Sequence, residues 1–336
     1  MTLPVFYEGD ADLALICSRR VLVVGYGSQG RTHALNLRDS GVAGVRVALH
    51  AGARRWPTAE ADGFAPVATA EGVDWAEVVV MAAPDEVQPG LWGEAIGPNL
   101  RAGQAVLWIH GLAVNFGLIA PPLEVDVVLC CPKGAGPGIR AIYERGGGVH
   151  ALVAVHQDAT GRARELVLSY GAALGCGRAG MILTTFRDEC ECDLFGEQAV
   201  LCGGVPELIR AAWQTLVEAG YPPEVAWFET LHETKLVTDL IYEHGIAGML
   251  ARVSNTAEYG AYVTGSRVIG EASRTAMREV LADVRSGRFV QALMADHAEG
   301  GRHLVARRAA AAAEPIERVD RAIHDMARET DASAPL

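Results

Sequence analysis

Gly25, Gly27 and Gly30 constrain this chain more than any other feature. They form G-x-G-x-x-G inside "RVLVVGYGSQGRTHALNL", Arg20 to Leu37. An apolar, β-branched run precedes them and a helix-forming run follows. Strand, tight turn and helix in that order begin a dinucleotide-binding βαβ unit. Gly25 permits the turn, and Gly27 lets backbone amides approach a pyrophosphate. Gly30 lets the helix pack closely on the strand, and the helix N-terminus adds partial positive charge.

The rest of the first half repeats this rhythm. "RVLVVG" (20–25), "GVRVALH" (44–50), "AEVVVMAA" (76–83), "QAVLWIH" (104–110), "VDVVLCC" (125–131) and "HALVAVH" (150–156) are expected strands. Continuous apolar runs suit strands buried on both faces of a parallel sheet. Helix candidates such as 29–40 and 85–96 lie between them. The expected fold is an α/β Rossmann domain, doubly wound with a mostly parallel sheet, over residues 1–183. Strand signals stop near residue 184. Stretches 206–220, 222–245 and 272–289 have helical apolar spacing with Pro at their starts or Gly near their ends. An all-helical domain over 184–328 follows, then a frayed tail at 329–336.

The end of the second expected strand bears on the choice of nucleotide. An acid there would bind the ribose hydroxyls of NAD. The text is "ALHAGARRW", with His50, Arg54 and Arg55 and no acid. A cationic pair suits the 2′-phosphate of NADP. NADPH is therefore the expected cofactor, with NADH possible.

In the second half, Asp193 and Glu197 stand four residues apart, as do Glu229 and Glu233. On a helix such pairs share one face. Val200 and Leu201 extend the first face, and Val225, Leu236 and Leu240 the second, so both faces are expected to point inward. Ionised carboxylates cannot be buried alone without large cost. Two solutions stay open: Lys or Arg partners, or two Mg²⁺ ions, hard cations that take carboxylate, water and substrate oxygens.

Composition excludes other classes. The formal net charge is −12 over 336 residues, which argues against binding nucleic acid. There are seven cysteines without a C-x-x-C pair, which disfavours a zinc ribbon and fits free thiols in a reducing cytosol. No basic n-region with an apolar core opens the chain, and no 18-residue apolar run exists, so a cytoplasmic protein without a membrane span is expected.

With these residues in view the chain resembles the ketol-acid reductoisomerases of the short, class I type. The resemblance runs from "VFYEGDADLALI" at Val5 to "EPIERV" at Val319. It rests on "GYGSQGRTHALNLRDSG", "PDEVQ", "PKG", "AVHQDA", "DLFGEQAVLCGG", "FETLHETKLVTDLIYE" and "SNTAEYG". It implies a Rossmann domain followed by a knotted helical domain, in a homodimer with shared active sites or a higher oligomer. Asp193 and Glu197 would bind two Mg²⁺, and Glu229 and Glu233 would complete the metal set across the dimer interface. Glu233, Ser254 and Ala257 would meet a small hydroxy- or keto-acid substrate. His110 and Lys133 would act between metals and nicotinamide, with Glu233 and Ser254 as further catalytic residues. Cofactor contacts would come from Gly25, Tyr26, Gly27, Ser28, Gln29 and Gly30, from His50, Arg54 and Arg55, and from Pro84, Asp85, His110 and Gly136. The implied reaction is alkyl migration in a 2-acetolactate-like acid followed by hydride transfer from NADPH.

Departures from the family pattern cluster around the nicotinamide. Where the family usually reads "HGFNIHFG", this chain has "HGLAVNFGLI", with Leu112, Ala113, Val114 and Asn115. After "PKG" it has Ala135, Gly136 and Pro137 in place of Pro-Gly-His. His50, Ala53 and Arg55 replace two serines and an arginine. "DECECD" (188–193) replaces "EETETD". Drift within an ordinary reductoisomerase is one explanation. Another is a specialised-metabolism paralogue that uses the same two-metal site for another rearrangement or ring closure, such as cyclopropanol formation from a sulfonium-bearing acid. A non-catalytic dinucleotide sensor is the third, and the intact carboxylates speak against it.

Overall fold

The structure, a computed structural model, describes residues 3–332. The chain divides into two compact units, residues 1–192 and 193–336. The division falls inside a helix, nine residues beyond the expected boundary at 183.

The first unit is built on an eight-stranded sheet: β1 (Val5–Phe6), β2 (Arg20–Val24), β3 (Gly44–Ala48), β4 (Val78–Met81), β5 (Ala105–Trp108), β6 (Asp126–Pro132), β7 (Ala151–Gln157) and β8 (Met181–Leu183). The spatial order is β1-β8-β7-β6-β5-β4-β2-β3. Strands β3, β2, β4, β5 and β6 are parallel; β7 runs antiparallel to β6, and β1 antiparallel to β8. The six expected strands are present. β1 and β8 were not anticipated, being two and three residues long.

Every residue of β4, β5 and β6 is buried, as their unbroken apolar runs require of strands covered on both faces. Five helices of this unit bear on the site: α1 (Ser28–Asp39), α2 (Trp56–Ala61), α3 (Gly136–Glu144), α4 (Ala163–Ala173) and α5 (Phe186–Gly196). One face of the sheet packs a core that includes Leu35 and Leu37 of α1 and Val167 and Tyr170 of α4. The other packs Trp108, Val114, Ile119 and Phe186. The register aligns Val24, Met81, Trp108 and Leu129 across four strands. The segments that follow β2, β4, β5 and β6 therefore leave the sheet at one edge, its carboxyl end, where open α/β sheets bind ligands.

The second unit is helical: α6 (Gly204–Glu218), α7 (Glu233–Leu250), α8 (Asn255–Val268), α9 (Glu271–Arg285), α10 (Arg288–Ala298), α11 (Arg302–Ala312) and α12 (Pro315–Ala332). Its main core gathers Trp213 of α6, Ala226, Trp227, and Ile316 and Ile323 of α12. Gly245 takes a left-handed φ of 72° and kinks α7, at the point where Gly was expected to end a helix. Gly287, also left-handed, separates α9 from α10. The last helix continues to Ala332, and residues 333–336 of the expected tail lie outside the described residues. Among the described residues, no helix is long and apolar enough to cross a membrane, and all seven cysteines are free of disulfides.

Candidate functional site

The glycine turn has the shape its sequence implies. Gly25 sits at φ 99°, and a Cβ there would meet the Ala82 carbonyl oxygen at 2.8 Å. A Cβ on Gly30 would strike the Gly25 carbonyl oxygen of the same turn. Gly27 is the N-cap of α1, and the space its Cβ would enter holds nothing within 4 Å. Bare backbone, open space and a helix N-terminus suit a pyrophosphate.

Side chains then lock the turn to its neighbours. The Tyr26 hydroxyl donates to Asp62 Oδ2 at 2.9 Å, and Arg31 forms a bidentate pair with the same carboxylate at 2.6 and 2.8 Å. The Arg31 bond holds the Asp62 carboxyl below its usual range. Gln29 Nε2 donates to the Gly134 carbonyl at 2.9 Å, while its Oε1 is a buried acceptor without a partner among the described residues. Thr32 donates to the Gly136 carbonyl at 2.8 Å, and a Cβ on Gly136 would strike the Ser28 carbonyl. Only glycine fits position 136, where the start of α3 abuts the glycine turn. Pro84 and Asp85 follow β4 at the same edge of the sheet, and Asp85 Oδ1 accepts from Gln88 Nε2 at 3.1 Å. Beyond β3, His50, Arg54 and Arg55 are all exposed, with Arg55 as N-cap of α2.

His110 and Lys133 leave the carboxyl ends of β5 and β6 and meet at one carboxylate, Glu189 of α5. Glu189 is fully buried. Its Oε1 lies 3.3 Å from His110 Nδ1 and 3.4 Å from Lys133 Nζ, and its Oε2 accepts from the Gly111 amide at 2.9 Å. A carboxylate only accepts, so Nδ1 carries the proton. Cys190 Sγ lies 4.0 Å from His110 Nε2. Burial would raise the Glu189 carboxyl, but the His110 bond, the nearby charges and the Gly111 amide hold it below the usual carboxylate range. Burial likewise opposes charge on His110, yet the contacts with Cys190 and Glu189 push it up to about 11. His110 is thus an imidazolium at neutral pH. Trp108 anchors the strand end beneath it, donating from Nε1 to Gln88 Oε1 at 3.1 Å and packing on Trp92 and Phe186.

Sequence reading missed Glu189. Its one signal is position: it precedes Asp193 by one helical turn, so α5 carries acids at i and i+4, and Glu197 follows at i+8 in the π-helical turn beyond it.

The segment after His110 is short and buried. Leu112, Ala113 and Val114 form a short buried helix, Leu112–Asn115, and Ala113 and Val114 belong to the core packed on Trp108. These departures therefore fall in the interior beside His110.

In the second unit the expected inward faces are not found. Asp193 is half-buried, and Glu197, Glu229 and Glu233 are exposed. Val200, Leu201, Val225 and Leu236 are themselves exposed. Glu197–Leu201 and Phe228–His232 are π-helical turns. Their wider winding rotates the residues that follow away from the face a 3.6-residue period assigns, and such turns are common at functional sites. No three of these four carboxylates lie within 4.8 Å of one another among the described residues. All four offer hard oxygen donors, the set that Mg²⁺ prefers. Ser254 is the N-cap of α8, its Oγ accepting from the Ala257 amide at 3.2 Å. Its hydroxyl proton is left to donate outward, and both residues are exposed.

A nucleotide turn and a buried carboxylate binding histidine and lysine, followed by a helical unit rich in carboxylates, define an oxidoreductase of the Rossmann type. Residues 15–180 match the acetohydroxy acid isomeroreductase NADPH-binding domain, and residues 186–329 match the ketol-acid reductoisomerase C-terminal domain. The chain belongs to the ketol-acid reductoisomerase family. It is 38% identical to an NADH-preferring ketol-acid reductoisomerase from an uncultured archean, over 96% of this chain and 99% of that one, with a TM-score of 0.93. A semialdehyde dehydrogenase NAD-binding protein from Cupriavidus necator shares the fold at 19% identity, over 80% of this chain and 99% of that one (TM-score 0.59). So does a pyrroline-5-carboxylate reductase from Coxiella burnetii, at 15% identity over 80% and 98% (TM-score 0.54). The chain is a nicotinamide-dependent oxidoreductase and isomerase of the ketol-acid reductoisomerase type.

Proposed function

We propose that the protein converts a 2-acetolactate-like hydroxy-keto acid by Mg²⁺-dependent alkyl migration and NADPH-dependent reduction. The observation that carries this is the buried Glu189 holding His110 and Lys133 at the carboxyl edge of the sheet. Both cations present donors there, at His110 Nε2 and Lys133 Nζ. Donors fixed before the reaction stabilise an oxygen that gains negative charge, without reorganisation at the moment of reaction. Glu189 keeps the imidazole oriented and protonated, so Nε2 can deliver a proton to such an oxygen. Gly27, Gln29 and the start of α1 would hold the cofactor pyrophosphate, and Arg54 and Arg55 its 2′-phosphate. Asp193, Glu197, Glu229 and Glu233 would hold two Mg²⁺. When bound, Mg²⁺ polarises adjacent substrate oxygens and NADPH supplies the hydride.

Because no three of the four carboxylates lie within 4.8 Å of one another among the described residues, the site is proposed to be completed by a second copy, as the family resemblance implies. The test is turnover of 2-acetolactate with Mg²⁺ and NADPH. Asp193→Asn should lower kcat by more than about 100-fold, while NADPH binding changes only a few-fold, since the turn that binds it is built from residues 25–30. Full activity in Asp193→Asn would refute the metal assignment. No turnover of 2-acetolactate by the unmodified protein would favour the ring-closing alternative.

A further inference from the structure

The helix that abuts the glycine turn, α3, has little of its own to hold it there. It is nine residues long, Gly136–Glu144, and three more glycines follow at 146–148. Isolated helices shorter than about 12–15 residues are marginal in water, and Gly136 and Gly138 weaken the first turn further. Of its residues only Gly136 and Ile139 are buried, so apolar packing contributes little. Polar groups must fix its place. We infer that Arg140 is a positioning residue for dinucleotide binding: it locks α3 to α1 and so keeps the segment Gly134–Gly136 closed on the glycine turn.

The Arg140 side chain is 17% exposed. Its Nη1 donates to Asn36 Oδ1 at 2.8 Å and its Nη2 to Asp39 Oδ2, both on α1. Its Nε lies 2.9 Å from Glu144 Oε1, one turn along α3. Asn36 is fully buried, and its Nδ2 is bound to the Leu174 carbonyl at 3.1 Å. Arg140 thus satisfies a buried acceptor that its loss would orphan. The guanidinium also lies over the Tyr143 ring, 5.5 Å from its centroid. The Tyr143 hydroxyl completes the lock, 2.6 Å from Ser40 Oγ at the C-cap of α1. A planar fork of donors fixes direction as well as distance, which a lysine does not.

The lock acts at the other end of α3. The Gly134 carbonyl accepts from Gln29 at 2.9 Å and the Gly136 carbonyl from Thr32 at 2.8 Å, both donors being residues of α1. A Cβ on Gly136 would strike the Ser28 carbonyl. The two helices are therefore joined twice: by neutral contacts at 28–32, beside the turn, and by Arg140 and Tyr143 at 36–40. A helix pinned at its far end cannot swing about its near end. Released at 36–40, α3 can tilt, and the wall formed by residues 134–136 opens. Arg140 stands one turn beyond Gly136, so it acts through the helix.

The test is fluorescence titration of the full chain with NADPH and, separately, NADH, well below the thermal midpoint. Arg140→Gln should raise Kd about tenfold, since a misplacement of about 1 Å costs on the order of 100-fold at a well-aligned site. Arg140→Lys keeps the charge but not the fork, so it should recover only part, which separates geometry from long-range charge. A purely structural role predicts a lower thermal midpoint with Kd unchanged, and that result overturns the inference. Thr32→Val frees the near end of the same helix. In that background the further loss from Arg140→Gln should shrink, whereas strictly additive losses overturn positioning through α3. If Arg140→Gln does not fold, Arg140→Lys decides by the same titration: weaker binding supports the lock, and an unchanged Kd overturns it. The titrations need no turnover, so their failure stands apart from that of the proposed reaction. In turnover, KM for the dinucleotide should rise while kcat at saturation stays within about twofold; that arm alone rests on the proposed reaction.

Discussion

His33 lies on α1, the helix that carries the glycine turn, yet it never meets the cofactor side. It is fully buried, with Nδ1 2.8 Å from the Tyr170 hydroxyl and Nε2 without a partner among the described residues. Burial pushes its pKa down to about 3. The unfolded chain binds this proton near the ordinary histidine value of about 6.5. Stability is therefore present above that value and lost as pH falls toward 3, by up to roughly 1.4 kcal/mol per pH unit. His33→Gln should flatten the dependence of urea unfolding on pH across that window; equal slopes in both proteins would show that His33 is not the group responsible. Arg54 and Arg55 are a second residue-scale case. Charge-assisted bonds are each worth roughly 1.5–3 kcal/mol, so replacing both with Asp should invert a preference for NADPH. The measurement is kcat/KM for NADPH and NADH. Equal use of both by the unmodified protein would remove the basis for that assignment.

At the scale of elements, the short helix Leu112–Asn115 gives the sharpest prediction. Ala113 is fully buried against the core around Trp108. Restoring the family residue by Ala113→Asn puts an amide where few partners exist, at a cost of about 1–3 kcal/mol. The thermal midpoint should fall, and the acetolactate rate should not rise. A stable variant with a higher rate would mean that this helix does face the substrate. The same helix shows what sequence could and could not reveal. Alternating apolar runs exposed six strands, because burial on both faces leaves an unbroken hydrophobic signature. β1 and β8 carried none, since two or three residues are too few for a period. Glu189 was hidden among the acids of "DECECD", because burial of a charge depends on partners from β5 and β6 distant in sequence. The faces of the carboxylate helices were misjudged because a 3.6-residue period assumes no π-helical turn.

The second unit exposes many large apolar side chains. Among the described residues, α7, α8 and α11 bury no side chain fully. Leu236, Tyr242, Ile246, Tyr259, Tyr262, Val263 and Val268 are all exposed, Tyr242 by 86%. A partner seated on these helices would cover them. Glu233 opens α7 and Glu229 lies in the turn just before it, so a partner seated on these helices would meet these carboxylates as well. If Asp193 and Glu197 of one chain share a site with Glu229 and Glu233 of a second, then Asp193→Asn and Glu229→Gln are each inactive alone. Dissociating and reassociating a mixture of the two changes the outcome. A hybrid dimer would hold one doubly altered site and one intact site, because the symmetry of a two-fold interface gives each subunit one half of each site. Random pairing makes about half the dimers hybrid, so about a quarter of unmodified activity should return. Chain exchange is confirmed separately by mass-tagged subunits. Recovery near a quarter supports the shared site, and exchange without recovery would mean that each chain completes its own.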